Sequence, residues 1–169
     1  MLSVREITKN DVSSLIHYWV NSSDAHMLAM GADLTKLPSE ESLYKSLTEQ
    51  IELPLDKKQS YALIWFLNDF AVGHCNVNQI QFGKEAYMHL HLWESENRQK
   101  GLGKTLVEQS IPVFFKNLQL QTLYCEPYAL NPAPNRTLEK LGFTFVKEHI
   151  TVPGYLNFEQ KVNLWKLEK

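Results

Sequence analysis

The segment from Tyr87 to Val107 constrains this chain most: a β-like run passes through Arg98-Gln99-Lys100-Gly101-Leu102-Gly103-Lys104 into a helix-like run. Glycines let a backbone approach a ligand closely, and the unbonded N–H groups and dipole of a helix's first turn favour an anion. The stretch therefore reads as a cradle for a phosphate or pyrophosphate. Two nucleotide cradles fail on spacing. A Walker A loop needs a glycine where Arg98 stands, although Gly103-Lys104-Thr105 matches its end, and a dinucleotide fingerprint needs a third glycine where Leu106 stands.

Periodicity sets the elements around this segment. LSVREI reads as a strand, and Val12, Leu15, Ile16, Trp19 and Val20 mark one face of a helix from about Asp11. Residues 22–37 have no clean period and read as irregular or a helical turn. Pro38-Ser39-Glu40-Glu41 then starts a helix that runs to about Glu52 before Pro54. SYALIWFL and FAVGHCNVNQI form a hairpin across Asn68-Asp69, and AYMHLHLW is a third strand. After the glycine loop come a helix in LVEQSIPVFFKNL that Pro112 is expected to kink, a short strand in QTLYCE, and a helix from Pro134 to Leu141 stopped by Gly142. FTFVKEHI and VNLWKL are the closing strands. The order β-α-α-β-β-β-α-β-α-β-β predicts a mixed α/β fold, and with no repeat or linker one domain over residues 1–169 is expected.

The 169 residues, 44% of them hydrophobic, suffice for a core. Lys+Arg 17 against Asp+Glu 19 gives a net charge of -2, so neither nucleic acid nor an anionic membrane is expected as a partner. Cys75 and Cys125 lie in apolar runs without C-x-x-C spacing, the first residues lack the apolar core of a signal peptide, and no apolar run could span a bilayer. A cytoplasmic location is expected.

The R-x-x-G-x-G pattern directly after a strand resembles the Q/R-x-x-G-x-G/A signature of the GCN5-related N-acetyltransferase (GNAT) family. A second block supports it: LYCEPYALNPAPNRTLEKLGF is similar to the family's later strand, Asn, helix and L-G-F, with Asn131 before Gly142. The resemblance covers roughly residues 60–145. It implies the single-domain acyl-CoA N-acyltransferase fold, a mixed sheet with a splayed parallel strand pair, and acetyl-CoA as co-substrate without a metal. By the same resemblance, His91, Leu92 and Trp93 would offer backbone groups to the pantetheine and thioester, with an N–H near Trp93 stabilising the oxyanion. Gln99, Lys100, Gly101, Leu102, Gly103 and Lys104 would hold the pyrophosphate, and Asn131 the pantetheine arm.

Acetyl transfer to an amine needs a base for the amine's proton and an outlet for the thiolate. Glu126 stands five residues before Asn131, where ribosomal-protein α-amine acetyltransferases of the family carry their base. His89 matches the strand histidine of siderophore-type lysine acyltransferases, and Glu126-Pro127 resembles their E-P-D-x-x-N block, except that Tyr128 replaces the Asp. His89 and His91 also form an H-x-H pair, but no third metal ligand follows by spacing. The family's usual acids are replaced: Leu138 stands where many members place Tyr, and Pro134 where others place Ser. Tyr128 is the candidate acid in their stead, and a CoA-binding regulatory domain without transfer is the alternative. The acceptor, a small amine or a peptide N-terminus, would meet Trp19, Met27, Met30, Asp33, Tyr155 and Phe158. A homodimer is compatible with this reading.

Overall fold

A computed structural model of the chain describes residues 1–94, 96 and 101–169. Its strands are β1 (Leu2–Glu6), β2 (Tyr61–Leu67), β3 (Phe70–Gln81), β4 (Glu85–Leu92), β5 (Thr122–Cys125), β6 (Thr144–Thr151) and β7 (Gln160–Glu168). Its helices are α1 (Val12–Asn21), α2 (Asp24–Ala29), α3 (Glu40–Glu52), α4 (Leu102–Asn117) and α5 (Pro132–Lys140). The strands form one sheet in the order β1-β2-β3-β4-β5-β7-β6. Every neighbouring pair is antiparallel except β4 and β5.

Local chemistry accounts for most boundaries. Asn68 and Asp69 take φ of 48° and 69°, the left-handed pair that a two-residue hairpin requires. The Ser39 hydroxyl caps α3 by accepting from the Ser42 N–H at 3.2 Å. The structure adds one helix to the predicted order: α2 lies within the stretch read as irregular or a helical turn, capped by Ser23 and anchored by the buried Met27. Six residues are too few to show a helical period, which is why the sequence conceals it. α4 runs through Pro112, an exposed position, where the ring removes one N–H from the helical ladder.

α4 and α5 cover one sheet face. Leu63, Trp65, Cys75, Val77, Ala86, Met88, Leu123 and Cys125 pack there with Leu106, Val107, Phe114 and Leu138. Each fully buried side chain of this kind contributes about 1.5–3 kcal/mol. The buried Trp65 indole donates to Ser110 at 2.9 Å, which fixes α4 against β2. On the opposite face α1 and α3 pack through Val12, Ile16 and Leu43.

Candidate active site

The parallel pairing of β4 and β5 is short: it runs from Glu85 opposite Thr122 to Met88 opposite Cys125 and ends there. The Cys125 thiol donates to the Met88 carbonyl at 3.0 Å at this last rung. Beyond it β4 continues to Leu92 beside β3, whereas the chain after Cys125 turns into Glu126-Pro127 and lies against β7, where the Pro127 carbonyl accepts from the Asn163 N–H at 3.1 Å. The two strands thus part into a V whose vertex is Met88 and Cys125.

Strand alternation decides which backbone groups face the gap. The Trp93 N–H donates to the Val72 carbonyl at 2.9 Å, and the His91 carbonyl lies 2.4 Å from where a Cβ on Gly73 would sit. His91 and Trp93 therefore direct these groups toward β3. The Met88 carbonyl points the other way, so Leu90 and Leu92, of the same parity, direct their backbone groups toward the β5 side. Leu90 was absent from the sequence-derived set, since the motif alone does not show which parity faces outward.

Below the V, α4 opens at Gly101 with φ 74°, a left-handed conformation that glycine adopts without strain. Leu102, Gly103 and Lys104 form the first turn, whose N–H groups have no partner within a helix. Among the described residues, Lys104 makes an exposed contact to Glu108 at 3.9 Å. Gln99 and Lys100 lie outside the described residues. Asn131 is the N-cap residue of α5, but its side chain makes no capping bond. Its backbone is fixed instead by Asn135, which donates to the Tyr128 and Asn131 carbonyls at 3.3 and 2.8 Å and accepts from Asn163 and the Trp165 indole, each at 2.9 Å.

Glu126, the first residue past the vertex, is hydrogen-bonded to His149 on β6 at 2.8 Å, with side-chain exposures of 9% and 29% respectively. No motif pointed to His149, because β6 reaches this place only through the sheet order. Tyr87 stacks on Tyr124 beside the carboxylate, and burial followed by the Glu126 charge raises its pKa. His89 lies on the same sheet face. Burial pushes its pKa down to about 4, and its Nε2 atom is enclosed with no hydrogen-bond partner. Tyr128 packs edge-on against Phe158. Leu138 is fully buried in the core, so that position has no access for a proton donor.

His91 belongs to an aromatic wall. It stacks on His74 at 4.5 Å and meets the Tyr18 hydroxyl at 3.2 Å, while the Trp93 indole donates to His74 at 2.8 Å. Burial holds both imidazoles neutral, His74 at about 3. Trp19 packs edge-on against His91, and the Met30 sulfur accepts from Tyr18 at 3.3 Å. The alternating His74, Asn76 and Asn78 of β3, opposite His91, His89 and Tyr87, were the unread signal of a polar sheet face. Among the described residues, no three His, Cys, Asp or Glu are placed to hold a metal, and no helix is long and apolar enough to cross a membrane.

A sheet parted at one parallel pair, with a glycine-led helix start below the gap, defines an acyl-CoA N-acyltransferase architecture. The family model for the acetyltransferase (GNAT) domain matches residues 2–144, and the chain belongs to that family. A search of curated proteins returned no match. Among solved structures, the chain resembles a ribosomal L7/L12 α-N-protein acetyltransferase in complex with coenzyme A, at TM-score 0.79 and 18% identity over 99% of this chain and 93% of that one. It also resembles the spermidine N-acetyltransferase of Vibrio cholerae in complex with CoA and spermine, at TM-score 0.79 and 16% identity, covering 99% and 95%. The ribosomal-protein-S5-alanine acetyltransferase of Vibrio fischeri matches at TM-score 0.80 and 18% identity, covering 99% and 92%.

Proposed function

We propose that this protein transfers an acetyl group from acetyl-CoA to the primary amine of a small molecule or a peptide N-terminus. The parting of β4 from β5 immediately after Met88 and Cys125 carries this reading. A gap between parallel strands leaves backbone amide groups without a ladder partner, and such groups can bind the two amides of a pantetheine chain. The residues around it fit the group: Leu90 directs backbone groups into the gap, the first turn of α4 with Lys104 suits a diphosphate, and the uncapped Asn131 side chain is available to the arm.

Acetyl-CoA supplies an activated thioester with a good leaving group. The chain's own residues move the proton. Glu126 receives it from the attacking amine, and the half-exposed imidazole of His149, bonded to that carboxylate, passes it to water. His89 is a poor proton acceptor at neutral pH, because burial keeps its imidazole neutral. Tyr128 provides the hydroxyl nearest in sequence to the thiolate exit, in place of the missing family acid.

Thiol release from acetyl-CoA, followed with a panel of amines and peptides, tests the reading. Acetyl-CoA should also raise the melting temperature, since it binds only the native state. Glu126→Gln should lower kcat by about 10²–10⁴-fold while leaving that stabilisation intact. Undiminished turnover in Glu126→Gln would remove the carboxylate from its assigned role.

A further inference from the structure

Gly31 ends α2 in a left-handed conformation, with φ 81°. The backbone closes there as a Schellman turn: the Ala32 N–H donates to the Met27 carbonyl at 2.9 Å and the Gly31 N–H to the Leu28 carbonyl at 3.0 Å. The Gly31 carbonyl accepts from two side-chain amides of the chain that enters β7, Asn157 at 2.9 Å and Gln160 at 2.8 Å, so both of its lone pairs are used. Gln160 is buried, and its second amide hydrogen goes to the Phe158 carbonyl at 3.0 Å. With both hydrogens committed to carbonyls the amide has one orientation, and it leaves Oε1 enclosed without a partner. An enclosed acceptor of this kind works against stability, so what Gln160 supplies is position. A side chain at residue 31 would overlap the Gln160 amide.

Backbone contacts join the same two segments. Ala32 and Asn157 form an isolated β-bridge, the Asp33 N–H donates to the Leu156 carbonyl at 2.7 Å, and the Lys36 ammonium donates to the Asn157 carbonyl at 2.7 Å. The Asp33 carboxylate is engaged within its own turn, accepting from the Thr35 N–H and hydroxyl at 3.0 and 2.6 Å. The helix itself is fixed to β4. His26 Nε2 and the Met30 sulfur, one turn apart, both meet the Tyr18 hydroxyl, at 3.1 and 3.3 Å, and that hydroxyl lies 3.2 Å from His91 Nδ1.

These two anchors stand on either side of the V. β4 beyond Met88 is one arm, and the chain after Cys125, bridged at Tyr128 to Val162, is the other. Asn163 and Trp165 turn toward Asn135 of α5, so Gln160, of opposite parity, faces the side of the sheet on which Tyr18 meets His91. Met30 and Gly31 thus carry the chain from one arm to the other. α4 and α5 cover the opposite face, and an amine approaching Glu126 comes from this one.

We propose that Gln160 is a positioning residue for the acetyl acceptor: with Asn157 it holds the Met30–Asp33 segment across the V as the outer wall of the acceptor pocket. This rests on the transferase reading above and deepens it. A wall already fixed spends no binding energy on its own ordering when the amine arrives. Loosening it moves that cost into acceptor affinity and leaves the thioester end and Glu126 untouched.

Steady-state thiol release at saturating acetyl-CoA, with a panel of amines and peptides that includes alanyl-alanine amide and spermidine, tests this together with amide hydrogen exchange. Gln160→Ala should raise the KM of the amine that is turned over about tenfold and leave kcat within about threefold, because the hydrogen bonds to the wall are lost and no reacting group is. Gln160→Met fills the same space without a donor and should behave as the alanine variant, and Asn157→Ala should raise the KM by a smaller factor. In both Gln160 variants the Ala32 and Asp33 amides should exchange about tenfold faster, while titration should give an acetyl-CoA dissociation constant within about twofold of wild type. A KM unchanged in every variant, a wild-type KM in Gln160→Met, or an acetyl-CoA affinity that falls along with acceptor affinity overturns the positioning role and leaves the transferase reading in place. Absence of thiol release with every amine overturns both.

Discussion

Replacing Asn135 with alanine tests how the pantetheine side of the site is held. Its side chain makes four hydrogen bonds, two to the carbonyls of Tyr128 and Asn131 and two from Asn163 and the Trp165 indole. The site is half-buried, so water replaces part of what is lost. At about 0.5–1 kcal/mol per bond, the cost is about 2–3 kcal/mol. For a domain of this size that lowers the melting temperature by about 4–10 °C. Asn163→Ala removes a single donor from the same oxygen and should cost about 0.5–1 kcal/mol, a contrast that isolates the network from a general effect of truncation. Asn135→Asp keeps the acceptor for Trp165 but turns a carboxylate oxygen toward two carbonyls, and should be no more stable than the alanine variant. Because Asn135 sets the backbone at Asn131, the alanine variant should also bind acetyl-CoA less tightly by isothermal titration. A melting temperature within 1–2 °C of wild type, a loss of less than about 1 kcal/mol, would refute the reasoning.

Three further predictions follow from the geometry. Gly73→Ala forces a methyl against the His91 carbonyl at 2.4 Å and should cost about 1–3 kcal/mol in chemical denaturation, with lower acetyl transfer because the end of β4 is displaced. Gly101→Ala should cost about 1 kcal/mol through its positive φ, whereas Gly103→Ala meets, among the described residues, only Leu92 Cδ1 at 3.6 Å and should leave the melting temperature unchanged while weakening acetyl-CoA binding, as titration would show. Stability should fall in acid. His74 and His89 have folded pKa values of about 3 and 4, below the unfolded value of about 6.5, so the unfolded state binds more protons below pH 6.5. Their contribution is complete above that pH and is lost as pH falls toward 4, at about 1.4 kcal/mol per pH unit for each histidine that stays neutral. Urea unfolding at pH 7 and pH 5 measures the slope, and His74→Asn should reduce it.

The sequence carried the element order apart from α2, because hydrophobic period, caps and turn residues act within a few residues of one another. The turn at Asn68-Asp69 and the start of α3 are local decisions of this kind. It also carried the glycine-led start of α4 and the resemblance to one family. Parity along β4 was legible too: His89 and His91 share a face. What the sequence could not contain was the direction of that face and the identity of its neighbours. The Trp93 and His91 backbones are committed to β3 because β3 and β4 pair antiparallel through Leu92, a fact of register. His149 reaches Glu126 because β7 lies between β5 and β6, and the Asp33 carboxylate is engaged by the Thr35 N–H of the short turn that it caps. Helix and strand propensities are set by nearest neighbours along the chain, whereas the partners of a buried polar atom are set by which distant segments the sheet brings beside it. The family was therefore readable in one dimension, and the pairing of Glu126 with His149, drawn from the end of β5 and from β6, existed only in three.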